Sequence, residues 1–191
     1  MHPVNDLNNF IAGWYIEPAL CDDLIDQYRY LAENGYEKDI EADWQGYRKV
    51  LFGELAYNLQ QEYRKCLSKV ADEYKEKYKY SHEGQHHWSG LLDPNFQRYQ
   101  PGDYYSKYHC ENCGSPADFT RHLAYMTFCN DIEEGGETEF YYQNIKIKPE
   151  KGLTLIWPAH WTHIHRGIPA PREEKFIITG WYTYDIYKWR A

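Results

Sequence analysis

The most informative part of this sequence opens with His109-Cys110-Glu111 and closes with His165-Arg166-Gly167-Ile168-Pro169. Residues two apart in a β-strand point to the same face, so the His109 imidazole and the Glu111 carboxylate are predicted to converge on one point. A third donor from a distant strand would complete a set of two histidines and one carboxylate, and His165 is the candidate. Such a set leaves other metal positions open and suits non-haem Fe(II) and oxygen chemistry. Lys175, further along the chain, provides a cation for an acid chelated to that metal.

Short strand-like segments surround this pair and follow one another from Asn95 onward. Their close spacing, with turn residues between them, predicts a sandwich or barrel. The apolar segment Leu153–Trp157 is predicted to be a central strand, and Phe176–Tyr184 is predicted to close the sheet. The other predicted strands are Phe96–Tyr99, Tyr104–Glu111, Phe119–Cys129, Glu137–Tyr142, Ile145–Ile147 and Thr162–His165.

The first half of the chain is predicted to be mostly helical. After a lead-in or edge strand at residues 10–16, a helix begins at Pro18, which suits a first turn, and ends at Asn34-Gly35. A longer helix is predicted at residues 49–79, after an irregular polar segment at 36–47. Apolar stripes on both helices indicate that they cover one face of the sheet. A run of helices followed by a run of strands gives an α+β fold.

Length, charge and composition narrow the class of protein. The 191 residues suit one domain, with helical support and lead-in at 1–90 and a strand-rich core at 91–191. The formal net charge of −8 argues against general nucleic-acid binding, which needs a basic surface. No apolar run reaches the roughly 20 residues of a membrane helix, and the first residues lack the features of a signal peptide. Five cysteines, an odd and sparse set, favour reduced thiols and a cytoplasmic location.

Five motifs occur in a fixed order around the candidate metal ligands. They are Tyr99-Gln100-Pro101-Gly102, His109-Cys110-Glu111, Gly135-Gly136-Glu137-Thr138, Pro149-Glu150-Lys151-Gly152 and His165-Arg166-Gly167-Ile168-Pro169, with Lys175 after the last. In order and spacing, residues 96–185 resemble the 2-oxoglutarate- and Fe(II)-dependent dioxygenases, in particular the prolyl 4-hydroxylase-like branch. Two features depart from the family pattern. The carboxylate ligand is usually Asp, not Glu, and the interval from Tyr99 to His109 is one residue longer than expected, which a β-bulge near Tyr104 or Tyr105 would absorb.

The resemblance implies that the core at 91–191 is a distorted double-stranded β-helix, a jelly-roll relative, with the N-terminal helices packed on one sheet. It implies Fe(II) held by His109, Glu111 and His165. It also implies 2-oxoglutarate as cosubstrate, with its far carboxylate on Lys175 and a hydrogen bond from Tyr99. O2 and, as a reductant, ascorbate complete the expected small-molecule partners. The substrate is expected near Trp88, Tyr104, Tyr105, His163 and Arg166.

The activity implied by the resemblance is hydroxylation of an unactivated carbon, with a prolyl residue of a protein or peptide as the family-based expectation. A free amino acid or a small metabolite is an alternative substrate. A catalytically weak or inactive metal-binding jelly roll is an alternative function, because Glu111 departs from the family pattern. Cys110 and Cys113, with histidines nearby, leave a zinc site or an oxidised pair as further alternatives.

Three histidines, His160, His163 and His165, compete for the third metal position, and two basic residues compete for the acid anchor. His160 follows Pro158-Ala159 and is expected in an exposed turn. Strand periodicity does not separate His163 from His165, but the family pattern of Gly two residues and Pro four residues after the ligand fits His165. Arg172 competes with Lys175 as the anchor. Because prolines precede Arg172, it is expected in a loop, whereas Lys175 enters the last predicted strand.

Overall fold

The structure is a computed structural model that describes residues 9–83 and 87–184, without the side chains of residues 89 and 90. The parts of the predicted lead-in and core at residues 1–8, 84–86 and 185–191 lie outside the described residues. Two α-helices occur in the described part, α1 (Pro18–Glu33) and α2 (Tyr57–Lys77). Neither of these helices is long and apolar enough to cross a membrane.

One curled antiparallel sheet contains all the described strands. In order along the sheet they run β1-β10-β7-β12-β5-β3-β6-β11-β8-β9, while β2 pairs with β3 and β4 pairs with β12. In chain order the strands are β1 (Ala12–Tyr15), β2 (Lys38–Ala42), β3 (Gln45–Leu51), β4 (Trp88–Leu91), β5 (Asn95–Tyr99), β6 (Tyr104–His109), β7 (Arg121–Phe128), β8 (Thr138–Phe140), β9 (Ile145–Ile147), β10 (Leu153–Pro158), β11 (His165–Gly167) and β12 (Lys175–Tyr184).

Alternation along β12 divides the interior into two cores. Phe176, Ile178 and Tyr182 point to one face and pack in a core that includes the apolar faces of α1 and α2. Ile177 and Trp181 point to the other face, toward a second core inside the curl of the sheet. Because successive side chains of a strand point to opposite faces, one side of β12 is covered by helices and the other faces a cavity. The prediction that the helices cover one face of the sheet is confirmed.

The region between the helices differs from the prediction. Residues 36–47 were expected to be irregular, but β2 and β3 form an antiparallel hairpin there, with Ile40 opposite Tyr47. The second helix begins at Tyr57 and not near residue 49. Along β3, Val50 is fully buried and Leu51 is 45% exposed. Burial thus alternates from one residue to the next, as it does when successive side chains of a strand point to opposite faces. Leu51 therefore does not belong to the apolar stripe of the helix.

Two further expectations about strands are corrected. The last strand, β12, does not close the sheet, because it pairs with β7 on one side and with β5 on the other. The segment around residue 163 is a 3-10 turn, Trp161–His163, and β11 starts only at His165. The register between β11 and β6 is irregular, with His165 opposite His109 and Gly167 opposite Tyr105. Between Tyr105 and His109, β6 therefore has extra residues relative to β11. This irregularity lies close to Tyr104 and Tyr105, where a β-bulge was expected.

Candidate metal centre and active-site cavity

Three side chains meet at one point inside the curl of the sheet. His109 ends β6, Glu111 follows it closely, and His165 begins β11 directly opposite His109. The Nε2 atoms of His109 and His165 each lie 3.4 Å from Oε1 of Glu111. One ligand atom from each of the three residues lies within 4.8 Å of the other two. This spacing suits one metal ion bound by all three.

Backbone carbonyls fix the orientation of both imidazoles. Nδ1 of His109 lies 3.0 Å from the carbonyl oxygen of Lys107, and Nδ1 of His165 lies 3.0 Å from that of His163. Because a carbonyl oxygen only accepts, each Nδ1 carries the proton and each Nε2 presents a lone pair. Two lone pairs and a carboxylate oxygen then face one point, an arrangement that is repulsive unless a cation, either a metal ion or a proton on an imidazole, lies between them. The three residues therefore fit a divalent metal ion such as Fe(II).

The second oxygen of Glu111 is fixed by a clamp formed by Trp181 and Arg121. The indole N–H of Trp181 donates to Oε2 of Glu111 at 2.7 Å, and Nη1 of Arg121 lies 3.7 Å from the same oxygen. The guanidinium of Arg121 also stacks 3.7 Å from the centre of the Trp181 ring and donates to the Glu111 carbonyl at 3.0 Å. Oε1 of Glu111 thus faces the point where the three side chains meet, called here the metal point, while Oε2 accepts the hydrogen bond from Trp181. The side chain of Glu is one methylene group longer than that of Asp, and each of its carboxylate oxygens has a partner here: the two histidines at Oε1 and Trp181 at Oε2.

The Glu111 carboxyl is set to be ionised. Its burial raises the pKa, but the contacts with His109 and His165 lower it by more, so the pKa of Glu111 lies well below its usual range. A carboxylate that stays charged is the form that binds a metal cation.

Replacing Trp181 with phenylalanine is expected to weaken Fe(II) binding while leaving the protein folded. The aromatic ring remains, but Oε2 of Glu111 loses its 2.7 Å donor, and loss of such an outer partner lowers metal affinity by roughly 10- to 100-fold. Anaerobic Fe(II) titration measures the change. Trp161, which is 65% exposed, provides the matched control Trp161→Phe. Equal Fe(II) affinity in the wild type and Trp181→Phe would show that the clamp does not support the metal site.

The metal point opens into a cavity of about 350 Å³ whose wall includes Lys175. Lys175 is only 5% exposed, and its Nζ donates to the Gly136 carbonyl at 3.1 Å and lies 4.7 Å from the centre of the Tyr99 ring. Burial lowers the pKa of Lys175 to about 8, against a smaller opposing influence of Glu137. A buried cation of this kind, with N–H groups to spare, is suited to pair with a carboxylate brought in by a ligand.

Tyr99 lies directly opposite Lys175 in the β5–β12 register and lines the same cavity. Its hydroxyl donates to Oε1 of Gln97 at 2.9 Å, and its ring stacks on Tyr47 with the centres 5.2 Å apart. Burial raises the pKa of Tyr99 well above its usual value, so the hydroxyl stays a neutral donor. Arg172, the competing anchor, is at the surface and pairs with Glu134 at 2.6 Å, so the structure brings Lys175 to the cavity and not Arg172.

Three of the residues expected near the substrate do not reach this cavity. Trp88 packs in the helix-facing core, 5.0 Å from the Tyr182 ring, with its N–H bonded to the Ser81 carbonyl. Tyr104 points to the opposite face of β6 from Tyr105. His163 lies in the 3-10 turn, and its Nε2 contacts the Asn9 carbonyl. The structure therefore does not bring Trp88, Tyr104 or His163 to the wall of this cavity, and their contact with a substrate stays a prediction.

Tyr105 and Arg166 do border the cavity. The Tyr105 ring lies 4.4 Å from the His109 ring, and Nε of Arg166 donates to Glu139 at 2.6 Å.

Two residues of the site, Trp181 and Arg121, were not predicted from the sequence. Trp181 had a readable signal, since it shares the strand face of Lys175 at even spacing along β12. Arg121 had none, because the direction of its side chain depends on the shifted register between the start of β7 and β12.

The Cys110 and Cys113 thiols are free, with their Sγ atoms 3.5 Å apart. Among the described residues, His109, Glu111 and His165 form the one group of three or more histidine, cysteine or acidic side chains arranged to hold a metal. The cysteine pair does not join that group, so the zinc alternative gains no support from the geometry.

The part of the chain that contains this site is similar to known proteins. Residues 94–183 match the 2OG-Fe(II) oxygenase superfamily. Over these residues the chain is similar to a 2OG-Fe(II) oxygenase domain. It contains all three candidate metal ligands, the clamp and Lys175, and the family implies Fe(II) and 2-oxoglutarate as its cofactor and cosubstrate. The resemblance noted from the sequence motifs is confirmed.

Relatives of the oxygenase domain include two proteins of Arabidopsis thaliana. One is named prolyl 4-hydroxylase 13, 28% identical over 120 residues, which cover 48% of this chain and 43% of the relative. The other is named probable prolyl 4-hydroxylase 9, 25% identical over 114 residues, which cover 46% of this chain and 39% of the relative. The match therefore spans less than half the length of either relative.

Solved structures of prolyl hydroxylases share the fold. The viral collagen prolyl hydroxylase of Paramecium Bursaria Chlorella virus-1, in its 2OG complex, superimposes with a TM-score of 0.69 at 21% identity, covering 92% of this chain and 97% of that one. A Trichoplax adhaerens prolyl hydroxylase, in complex with a hypoxia inducible factor peptide fragment, gives a TM-score of 0.71 at 17% identity, covering 93% and 84%. The predicted jelly-roll fold with its two helices is confirmed.

Proposed function

We propose that this protein is an Fe(II)- and 2-oxoglutarate-dependent dioxygenase that hydroxylates an unactivated carbon, with a prolyl residue of a protein or peptide as its target. The single observation that carries the proposal is the convergence of His109, Glu111 and His165 at a cavity whose wall also holds the buried cation Lys175. The first three residues would hold Fe(II), and Lys175 would pair with the far carboxylate of 2-oxoglutarate.

When bound, the metal and cosubstrate would supply, with O2, the oxidising chemistry that turns a C–H bond into a C–OH group and 2-oxoglutarate into succinate and CO2, one oxygen atom of O2 entering each of the hydroxyl group and succinate. The protein itself orients the cosubstrate and the metal-facing carboxylate, and it shields the site from bulk water. Lys175 would fix one end of the cosubstrate, because a buried ammonium donates to a carboxylate. The neutral Tyr99 hydroxyl would join it only by turning its one proton from Gln97 to that carboxylate. The clamp keeps the Glu111 carboxylate turned to the metal point. Aromatic walls such as Tyr47, Tyr105 and Trp157 keep bulk water away from the reacting atoms.

The choice of a peptidyl proline is supported by the relatives. Both curated relatives are named prolyl 4-hydroxylases, and a structural neighbour is recorded in complex with a peptide fragment. A free amino acid or a small metabolite remains the alternative substrate. An inactive metal-binding jelly roll remains the alternative function.

A turnover assay tests the proposal. The protein is incubated with Fe(II), ascorbate, O2 and 2-oxoglutarate, and succinate is measured with and without proline-containing peptides. We expect slow succinate formation alone, faster formation with a peptide substrate, and one added oxygen atom on proline by mass spectrometry. His165→Ala serves as the inactive control. Absence of succinate formation above that control would favour the inactive module, whereas stimulation by free proline alone would favour the amino-acid alternative.

A further inference from the structure

The cavity wall has more positive than negative charge. Its described lining contains one acidic side chain, Glu111, and four basic ones. Arg121 is bonded to Glu111 and Arg166 to Glu139, and Lys175 is the proposed partner of the cosubstrate. The fourth, Lys49, has as its one hydrogen-bond partner among the described residues a neutral amide, Oδ1 of Asn95 at 3.4 Å. Lys49 is therefore a cation that faces the cavity without an assigned counter-charge.

Unused amide donors lie beside Lys49. Gln97 is directly opposite Lys49 in the β3–β5 register, and Asn95 lies on the same face of β5. The oxygen of Gln97 already accepts from the Tyr99 hydroxyl, and that of Asn95 accepts from Lys49. In the described part of the protein, the N–H groups of both amides have no partner, yet both residues line the cavity. An ammonium and two amide N–H groups on one wall are donors that a carboxylate would satisfy.

A second lysine strengthens the positive potential. Lys38 on β2 is directly opposite Lys49 on β3, and no ion pair of either lysine occurs among the described residues. Like charges in directly opposite positions destabilise a sheet. On the other face of β3, by contrast, Arg48 is paired with Asp103 at 3.0 Å. An anion held near Lys49 would offset the repulsion that the protein itself leaves uncompensated.

The position of these donors distinguishes them from the cosubstrate anchor. Gln97 is opposite Ile177 and Asn95 is opposite Thr179, so the group is displaced along the sheet from Lys175 toward Trp181. Trp181 holds the metal-facing Glu111. The donors thus line the part of the cavity that extends past the anchor toward the metal point.

We propose that Lys49, with Asn95 and Gln97, is a subsite for a carboxylate of the substrate. This proposal rests on the proposed function, because it names a feature of the molecule hydroxylated at the same metal centre. The carboxylate comes either from an acidic residue next to the target proline in a peptide or from the α-carboxylate of free proline.

A binding experiment separates these sources. The Fe(II) protein, free of oxygen and saturated with 2-oxoglutarate, is titrated with four probes: a capped peptide with Glu on each side of one proline, the same peptide with Gln, free proline, and prolinamide. We expect one of the two carboxylate probes to bind roughly 10- to 100-fold tighter than its neutral partner, the effect of one charge-assisted bond. Lys49→Gln should remove that preference. Lys69→Gln, which changes the same charge on the exposed face of α2, should retain it.

Each result of this titration either supports or overturns the carboxylate subsite. A preference of the wild type for the glutamate peptide or for free proline, lost in Lys49→Gln, supports the subsite and identifies its source. Equal binding within both pairs, absent binding included, overturns the subsite, as does a preference that survives in Lys49→Gln. An increased 2-oxoglutarate requirement in Lys49→Gln would reassign Lys49 to the cosubstrate. Iron content and 2-oxoglutarate affinity of the wild type, measured in parallel, report separately on the proposed function.

Discussion

Replacing Glu111 with glutamine is expected to remove most of the Fe(II) that the wild-type protein binds. The amide keeps the shape of the side chain, but it loses the charge that opposes the metal cation and presents no second carboxylate oxygen to the Trp181 N–H. A charge-assisted contact contributes about 1.5–3 kcal/mol, so the affinity should fall on the order of 10- to 100-fold or more. Anaerobic titration, with iron content after desalting as a second readout, measures the loss.

Matched variants separate the charge of Glu111 from its length. Glu111→Asp keeps the charge, but its shorter arm cannot serve both the metal point and Trp181, so we expect it to retain part of the iron and part of the activity. His109→Ala and His165→Ala should abolish Fe(II) binding. His163→Ala should change it little, because the His163 ring contacts Asn9, and only its backbone carbonyl orients His165. Unchanged iron in Glu111→Gln would mean that the site has two histidine ligands only, and the inactive module would then become the better description.

Replacing Lys175 with alanine is expected to raise the 2-oxoglutarate requirement strongly while leaving Fe(II) affinity nearly intact. The lysine is buried beside Tyr99 and does not contact the metal ligands, so its removal deletes the partner of the far carboxylate alone. Loss of one charge-assisted bond to a buried carboxylate corresponds to about a ten- to hundredfold weaker affinity. Isothermal titration with 2-oxoglutarate on the Fe(II) protein without oxygen measures it. An unchanged affinity would move the anchor to another residue.

The same lysine predicts a pH dependence of a definite sign. Only the protonated amine pairs with a carboxylate, and burial lowers the pKa of Lys175 to about 8. Affinity for 2-oxoglutarate should therefore be constant below that pH and should fall as the pH rises above it. Lys175→Arg keeps its charge throughout this range, so whatever affinity it retains should be independent of pH. A wild-type affinity that rises above pH 8 would contradict this assignment.

The candidate metal centre could be predicted from the sequence because its ligands lie in short motifs with fixed internal spacing. His109 and Glu111 are two residues apart, and His165 is marked by Gly167 and Pro169. The helix α1 was predictable for a similar reason, since Pro18 and Asn34-Gly35 mark its ends. The β2–β3 hairpin was not, because Leu51 has the right spacing to continue a helical stripe, and only the burial of Val50 shows that the chain has the period of a strand there.

The substrate side was predicted less well, because it depends on which face each residue presents after folding. Tyr104 and Tyr105 are adjacent and aromatic, yet only Tyr105 turns to the cavity. Trp88 was expected near the substrate, but its strand adds to the far end of β12, so that its ring packs under the helices. The contacts of Arg121 with Glu111 and Trp181 depend on the shifted register at the start of β7, which no local sequence pattern specifies.

The β2–β3 hairpin has a consequence for how this protein can diversify. The candidate metal ligands, the clamp and Lys175 all lie within residues 94–183, which match the oxygenase superfamily, whereas Tyr47 and Lys49 enter the cavity from an earlier part of the chain. The residues proposed to hold Fe(II) and 2-oxoglutarate and one wall of the cavity thus lie in separate segments of the chain. Changes in the hairpin can alter which molecule is accommodated without altering a single ligand of the metal, so selectivity and reactivity can evolve as independent modules.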